Sequence, residues 1–189
     1  MEETAQGKNL PDCITILSIL RLKNLRAFMV LEIIFKTFAV LVSTGLMGAL
    51  AYFTHYPLLF PSLGPTIFIH IVTPQQDASR VWNTLAGHAI GIIAAVFSLW
   101  IFDALAAPAA MSIDHITWNR MAASVLAISL TVLGQGLCKA NHPPAAATTL
   151  LLSLGGFHAD IKTISVICIG VIISTTVSEV FQKFMAYKK

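Results

Sequence analysis

The sequence predicts an all-α, polytopic helical membrane protein with an inverted repeat of three plus three helices, including two broken or half-spanning helices. The first observation is composition: of 189 residues, 56% are hydrophobic and 11% are charged. A soluble domain carries about 25% charged residues. The second is a pair of short apolar stretches, Pro57–His70 and Asn141–Leu151, that proline interrupts at corresponding positions of the two halves. Such pairs are typical of discontinuous helices that form a solute site.

Residues 1–27 are predicted to form a cytoplasmic or interfacial segment. Leucine and isoleucine alternate here with basic residues such as Arg21 and Lys23, as in helices that lie on an anionic membrane surface. A cytoplasmic extension of the first span is an equally open alternative. Residues 28–185 are predicted to form one transmembrane domain, with repeat halves at about 28–105 and 119–185.

Four long stretches almost free of charge predict the membrane spans, because a spanning helix needs about 20 apolar residues. Glu32 and Lys36 are spaced to form an ion pair on the first span. Gly87 and Gly91 have the spacing that permits close helix approach. The predicted spans cover residues 28–53, 81–105, 119–139 and 161–185.

The prolines predict two short helices between these spans. Proline lacks an amide hydrogen and disfavours helix at the preceding residue, but it is well tolerated in the first helical turn. We therefore expect short helices at Thr66–Ile71 and Ala145–Leu152, in opposite orientation. An internal repeat is supported because one offset pairs Pro65 with Pro144, Thr84 with Thr163, and Gly91 with Gly170.

Lysine and arginine placement favours six crossings. The N-terminal basic residues, Arg80, Lys139 and the C-terminal lysines then share the cytoplasmic side with both termini, and the linker 103–118 faces outwards. If the short segments instead enter and return, Arg80 and Lys139 move outside.

Non-helical backbone at membrane depth must be packed in protein or line a cavity. Two helix N-termini with free amides, each carrying about half a positive charge, would attract an anion there. No arginine or lysine lies in the predicted core, so a doubly charged anion is not favoured. His70 is a weaker candidate, and Thr148 and Thr149 are expected to bond their own backbone. The predicted substrate-binding residues are Ser62, Gly64, Thr66, His88, Gln135, Asn141 and His142.

Several of these residues also have purely structural interpretations. Gly64 could relieve crowding at a turn, and His142 could cap a helix. His88 lies on a charge-free span, where polar groups usually face the interior, and it could serve only helix–helix hydrogen bonding.

The run Asn141-His142-Pro143-Pro144-Ala145-Ala146-Ala147 resembles the signature of the HPP family of integral membrane proteins. Pro61–Thr66 and Ala86-Gly87-His88 are similar to earlier motifs of that family. The resemblance covers residues 28–184. It implies a multi-span fold, often described with four transmembrane helices, and members from photosynthetic lineages are associated with nitrite transport.

We therefore expect a transporter or channel-like permease for a small monovalent anion, with nitrite favoured. A non-transporting scaffold or sensor, and less favoured a histidine-dependent membrane enzyme, are the alternatives. No enzyme activity is expected, because the chain has neither a His-Glu-x-x-His nor a Gly-x-Ser-x-Gly motif. Histidine could carry a proton with the anion, so the coupling is open.

The expected partners are the lipid bilayer, a nitrite-like anion and further copies of the chain in a homo-oligomer. The net charge of +3 is too small to indicate nucleic-acid binding. No cofactor or metal is expected, and Cys13, Cys138 and Cys168 are interpreted as apolar filler residues.

Overall fold

In the computed structural model, the backbone is described for residues 13–187, and side chains are described for Arg26 and residues 28–184. This part of the chain is helical and contains no strand. Two single 3₁₀ turns, Asp77–Ser79 and Ala110–Ser112, lie in the connections. The helices are α1 (Cys13–Thr54), α2 (Leu63–Val72), α3 (Val81–Ile101), α4 (Trp118–Leu137), α5 (Pro144–Ser153) and α6 (Ile161–Tyr187).

The chain forms two compact units, residues 1–38 and 39–189, whose boundary lies inside α1. In the first unit the Lys36 ammonium lies 2.9 Å from the Glu32 carboxylate, which confirms the predicted pair. Residues 1–12 of the predicted N-terminal segment lie outside the described residues, and the backbone of 13–27 belongs to α1. The interfacial location of that segment and the domain boundaries stay predictions.

Four helices in the described chain are long and apolar enough to cross a membrane: Phe28–Thr54, Val81–Ile101, Trp118–Leu137 and Ile161–Phe184. The prediction of a polytopic, all-helical membrane protein is thereby confirmed. α3 ends four residues before the predicted boundary. The reason is local, because Asp103 adopts a φ of 48°, in the left-handed region that a continuing helix does not use.

The two short helices have ten residues each. α2 begins at Leu63, three residues earlier than predicted, because Pro65 falls in the first turn, where its missing amide hydrogen costs no helical bond. α5 begins at Pro144 itself. Pro65 is therefore the third residue of its helix and Pro144 the first of its own, so the predicted repeat pairing matches the helix starts only approximately. The inverted repeat itself stays a prediction.

α2 runs antiparallel to α3. Thr66, in the first turn of α2, lies beside His88, the eighth residue of α3, whereas His70 in the last turn lies beside Thr84 in the first turn of α3. Thr66 and His70, the polar residues of α2 that face α3, are spaced four apart and therefore lie on one face of the helix. Ile67 lies on the adjacent face.

α5 runs parallel to α3 and is therefore opposite in direction to α2. A Cβ placed on Gly87 would lie 2.8 Å from the Cβ of His142, and one placed on Gly91 would lie 3.0 Å from the carbonyl oxygen of Ala145. The two glycines therefore allow the backbones to approach closely, as the sequence predicted.

α4 is antiparallel to α5 and accompanies it from end to end. Ser124 near the start of α4 donates to Ser153 at the end of α5, and Gln135 near the end of α4 bonds the backbone of His142, just before α5. α5 therefore leads the chain back from the end of α4 towards its beginning; the number of membrane crossings stays a prediction.

The apolar core lies between α2 and α6, with contributions from α1 and α3. Leu63, Ile67 and Ile71 are spaced four apart on α2 and are fully buried against residues of α6. This contact leaves the polar face of α2 directed at α3 and α5. The core consists of Ala39, Met47, Leu58, Phe60, Leu63, Ile67, Ile71, Ile92, Ala95, Leu152, Val166, Ile167 and Val171.

Candidate functional site

Three histidines lie together inside the bundle. His70 on α2 and His142 before α5 are 0% exposed, and His88 on α3 is 2% exposed. The ring of His142 lies between the other two, with centroid distances of 5.1 Å to His88 and 6.4 Å to His70. Ionisable residues inside a membrane domain are costly to bury and usually serve a pathway or a site.

Buried hydroxyl groups connect His88 and His142 into a continuous set of hydrogen bonds. Thr66 Oγ1 lies 3.3 Å from Nε2 of His88 and 3.1 Å from Nε2 of His142. On its other side, Nδ1 of His88 lies 2.9 Å from Oγ1 of Thr148, which in turn lies 2.7 Å from Oγ of Ser62. We call Ser62, Thr148, His88, Thr66 and His142 the inner chain.

A second set of contacts leads from His142 to α6. Nδ1 of His142 donates to the carbonyl oxygen of Ala78 over 2.7 Å and lies 3.5 Å from Oγ1 of Thr84. Oγ1 of Thr84 lies 2.8 Å from Nε2 of His70, and Nδ1 of His70 lies 4.0 Å from a carboxylate oxygen of Glu179. We call Thr84, His70 and Glu179 the outer chain.

Gln135 holds the backbone of His142 at two points. Its Oε1 accepts from the amide of His142 over 3.0 Å, and its Nε2 donates to the carbonyl oxygen of the same residue over 3.4 Å. Both ends of the amide are thus occupied by backbone, so in this conformation Gln135 positions the imidazole rather than facing a solute.

The amides that begin the short helices are occupied as well. At the start of α5, the Ala145 amide donates to the His142 carbonyl oxygen and the Ala146 amide to the Pro143 carbonyl oxygen, each over 3.0 Å. At the start of α2, the Leu63 amide donates to the Phe60 carbonyl oxygen over 3.0 Å. For these three amides the expectation of free N–H groups is wrong in this conformation, because tight turns precede both helices and the carbonyls of those turns accept the hydrogens first.

The structure brings five of the predicted site residues together: Ser62, Thr66, His88, His142 and Gln135 are each no more than 6% exposed. Gly64 and Asn141 are exposed and lie outside the inner chain. No neighbour lies within 4 Å of a Cβ placed on Gly64, so it relieves no crowding. The Asn141 carbonyl, not its side chain, accepts from Asn83 over 3.3 Å. Substrate binding by any of these residues stays a prediction.

The sequence analysis missed Thr148, Thr84 and Glu179. Thr148 was expected to bond its own helix, but it contacts Ser62, 86 residues away in sequence. The available signal was spacing, because Thr84 and His88 lie four residues apart on one face of α3, as Thr66 and His70 do on α2. The expectation for Thr149 is confirmed, since it donates to the Ala145 carbonyl.

Arg120 is 5% exposed, which corrects the prediction of a core without basic residues. Its guanidinium donates to the carbonyl oxygens of Ser153 over 3.1 Å and Ala107 over 2.7 Å. The Ser153 carbonyl is at the C-terminus of α5, where the helix dipole favours a cation. Arg120 thus lies at the opposite end of α5 from His142, where it ties that helix to the linker.

Neither a metal site nor the surface groove of the described residues offers a polar partner to a solute. No group of three His, Cys, Asp or Glu side chains in that part of the chain is arranged to hold a metal ion. A groove of about 570 Å³ runs along the second half of α3 and is lined by apolar side chains such as Phe97, Trp100 and Ile164. The polar site is thus the buried one, and it carries no lysine, arginine or carboxylate within the inner chain.

Four spanning helices around two short helices with a buried polar site define a polytopic membrane protein. The chain matches the family described as "HPP, transmembrane region" over residues 26–189 and belongs to that family. This confirms the resemblance noted from the His-Pro-Pro run. Comparison with curated proteins and with solved structures gives no match.

Proposed function

We propose that this protein is a transporter or channel-like permease for a small monovalent anion, with nitrite as the favoured solute. The observation that carries the proposal is the inner chain, a continuous set of buried hydroxyl and imidazole groups between two short helices of opposite direction. Maintaining so many polar groups inside a membrane domain is expensive unless they serve a solute or ion.

The chemistry of the inner chain suits a small solute of low charge. Hydroxyl and imidazole N–H groups donate hydrogen bonds to the oxygens of an anion such as nitrite. Because the inner chain includes no lysine or arginine, it offers no fixed charge to hold a doubly charged anion.

The described conformation is closed around these groups. Ser62 and Thr148 are 0% exposed and lie 2.7 Å apart, so a solute at this point would replace their mutual hydrogen bond. Helix movement that opens one side and then the other would give alternating access. The short helices are the natural moving parts, since a ten-residue helix is about 15 Å long in a hydrocarbon layer of about 30 Å.

The experiment is anion uptake by vesicles that contain the purified protein, with nitrite, nitrate, formate and chloride tested in parallel. Thr148→Val removes a hydroxyl of the inner chain while keeping side-chain shape, and we expect nitrite uptake to fall by about tenfold. Thr176→Val is the matched control, because Thr176 is exposed and bonds only the Ile172 carbonyl of its own helix.

Uptake no faster than in protein-free vesicles for all four anions would refute the proposal. In that case a scaffold or sensor would be favoured, and His142→Ala would then alter assembly without any effect on flux. Equal uptake by Thr148→Val and Thr176→Val would show that the anion path does not pass through the inner chain.

A further inference from the structure

The hydrogen bonds of the inner chain share a single direction when each imidazole carries one hydrogen. The carbonyl oxygen of Ala78 only accepts, so Nδ1 of His142 donates and its Nε2 accepts from the Thr66 hydroxyl. Oγ1 of Thr66 then accepts from Nε2 of His88, whose Nδ1 accepts from Thr148. Thr148 in turn accepts from Ser62.

The outer chain continues in the same direction. Oγ1 of Thr84 lies beside Nδ1 of His142, and the Thr84 hydroxyl donates to Nε2 of His70. Nδ1 of His70 lies 3.5 Å from Nε2 of Gln182, an amide nitrogen that donates to it in the described conformation. The relay therefore needs the Gln182 amide to turn away, so that His70 carries its hydrogen on Nδ1 and the Glu179 carboxylate, 4.0 Å from the same atom, can accept it. One bridging water or a small rotation of the carboxylate is enough to complete this contact. Glu179 is 26% exposed, so the far end of the outer chain reaches the surface of the bundle.

We propose that the inner and outer chains together form a proton relay that connects the solute at Ser62 and Thr148 with the carboxylate of Glu179. The solute is then the conjugate base of a weak acid, and it moves together with a proton. This inference rests on the proposed transport function for its solute end, and the route through His142 to Glu179 is the new element.

The protons balance along the relay. A proton given up by the solute acid is taken up at the hydroxyl end, and each hydroxyl or imidazole then accepts one hydrogen and releases another to the next group. Glu179 accepts the last one. Every intermediate group keeps its number of hydrogens, so the net change is one proton moved from the solute to the carboxylate.

Every donor points the other way after one passage, so the reset requires each imidazole ring to turn over and each hydroxyl to rotate; two threonines are placed for the hydroxyl part of this reset. Oγ1 of Thr66 lies 2.9 Å from the Ser62 carbonyl oxygen, and Oγ1 of Thr84 lies 3.2 Å from that of Arg80. Each hydroxyl can therefore turn from an imidazole to a carbonyl of its own helix without losing a hydrogen-bond acceptor.

The charges around the relay are few. His142 is its central imidazole, and the Glu179 carboxylate lies at its end, 4.0 Å from Nδ1 of His70. The titratable and charged groups on the described elements around the relay are His70 on α2, His88 on α3, Arg120 on α4, His142 before α5, and Lys162, Cys168, Glu179 and Lys183 on α6, with Cys138, Lys139 and the exposed Asp77–Arg80 pair in the adjoining connections.

The test measures protons and nitrite in the same vesicles, with a pH-sensitive dye inside and protein-free vesicles to subtract passive passage of nitrous acid. We expect wild-type vesicles to gain one proton with each nitrite. Nitrite uptake without protons would overturn the relay and leave the transport proposal standing. No nitrite uptake would refute the transport proposal, and with it the relay.

Variants of the outer chain test the route. In Thr84→Val and Glu179→Gln we expect the proton uptake that accompanies nitrite to fall about a hundredfold, and with it the ratio of protons to nitrite, because each variant lacks a positioned proton carrier. Thr84→Ser restores the hydroxyl and should restore the uptake. A purely structural role would lower the melting temperature and leave the ratio of protons to nitrite unchanged. If Thr84→Val does not fold, the partly exposed Glu179→Gln tests the same route. A wild-type ratio in the folded variants would overturn the relay.

Discussion

Substitution of Gly87 by alanine tests the close approach of α3 to the chain before α5. A Cβ at this position would lie 2.8 Å from the Cβ of His142 and 3.3 Å from the carbonyl oxygen of Ala140. Neither neighbour is the end of a flexible side chain, so the backbone that carries His142 must move. Such overpacking costs about 1–3 kcal/mol. Alanine recovers about 1 kcal/mol of helix propensity, so we expect a net loss of up to about 2 kcal/mol.

Gly45→Ala is the matched control for Gly87→Ala. Gly45 also lies inside a long helix, and a Cβ placed there meets nothing within 4 Å. Only the propensity gain of about 1 kcal/mol applies, so this variant should be more stable than the wild type. In a chain of 189 residues, 1 kcal/mol shifts the melting temperature by about 2–4 °C.

The assay is thermal unfolding in detergent, followed by intrinsic fluorescence, for wild type, Gly87→Ala and Gly45→Ala side by side. We expect the Gly87 variant to melt below the wild type and the Gly45 variant above it. If Gly87→Ala melted as far above the wild type as Gly45→Ala does, the close packing of α3 against His142 would be refuted.

Three further predictions concern polar residues near helix ends. Arg120→Met should lower the free energy of unfolding by about 3 kcal/mol, because buried carbonyls at the end of α5 lose a charged donor; wild-type stability in a denaturant titration would contradict this. Gln135→Leu leaves the backbone of His142 unpaired and should cost about 2 kcal/mol in the same titration, whereas a cost near zero would show that water replaces the amide. The Thr163 amide donates to Asp160 and holds the pKa of that carboxyl below its usual value. The stabilisation by Asp160 is therefore present above the ordinary carboxyl pKa and disappears as pH falls through the lowered pKa. In Asp160→Asn the amide oxygen can still accept from the Thr163 amide, but the side chain does not titrate. The melting temperature of this variant should therefore fall less than that of the wild type as the pH is lowered. The same fall in both proteins would contradict the capping role.

The sequence predicted the helices well because their signals are local. The charge-free stretches predicted the four spans, and the double proline at Pro143 and Pro144 predicted the start of α5 to within one residue. The start of α2 was three residues off, since a proline alone does not reveal whether it is the first or the third residue of a helix. Gly87 and Gly91 were predicted to allow close packing, and each lies against the chain at the start of α5.

The site was predictable only in part, because its contacts are not local. His88 and His142 are conspicuous in an apolar sequence and were identified. Thr148 and Thr84 were not, since a threonine on a spanning helix ordinarily bonds its own backbone, and nothing in the local sequence shows that Ser62 will lie 2.7 Å from Thr148. Arg120 was missed because its partners are backbone carbonyls, which have no sequence signature.

The ten residues of α5 have a consequence for biosynthesis. A segment that covers half of the hydrocarbon layer partitions poorly into lipid alone, and six of its residues are buried against neighbouring helices. Once the ribosome has released α4, this helix can therefore insert only as part of a unit with α3 and α4 already in the membrane. Membrane integration of α5 thus depends on one helix from each half of the chain.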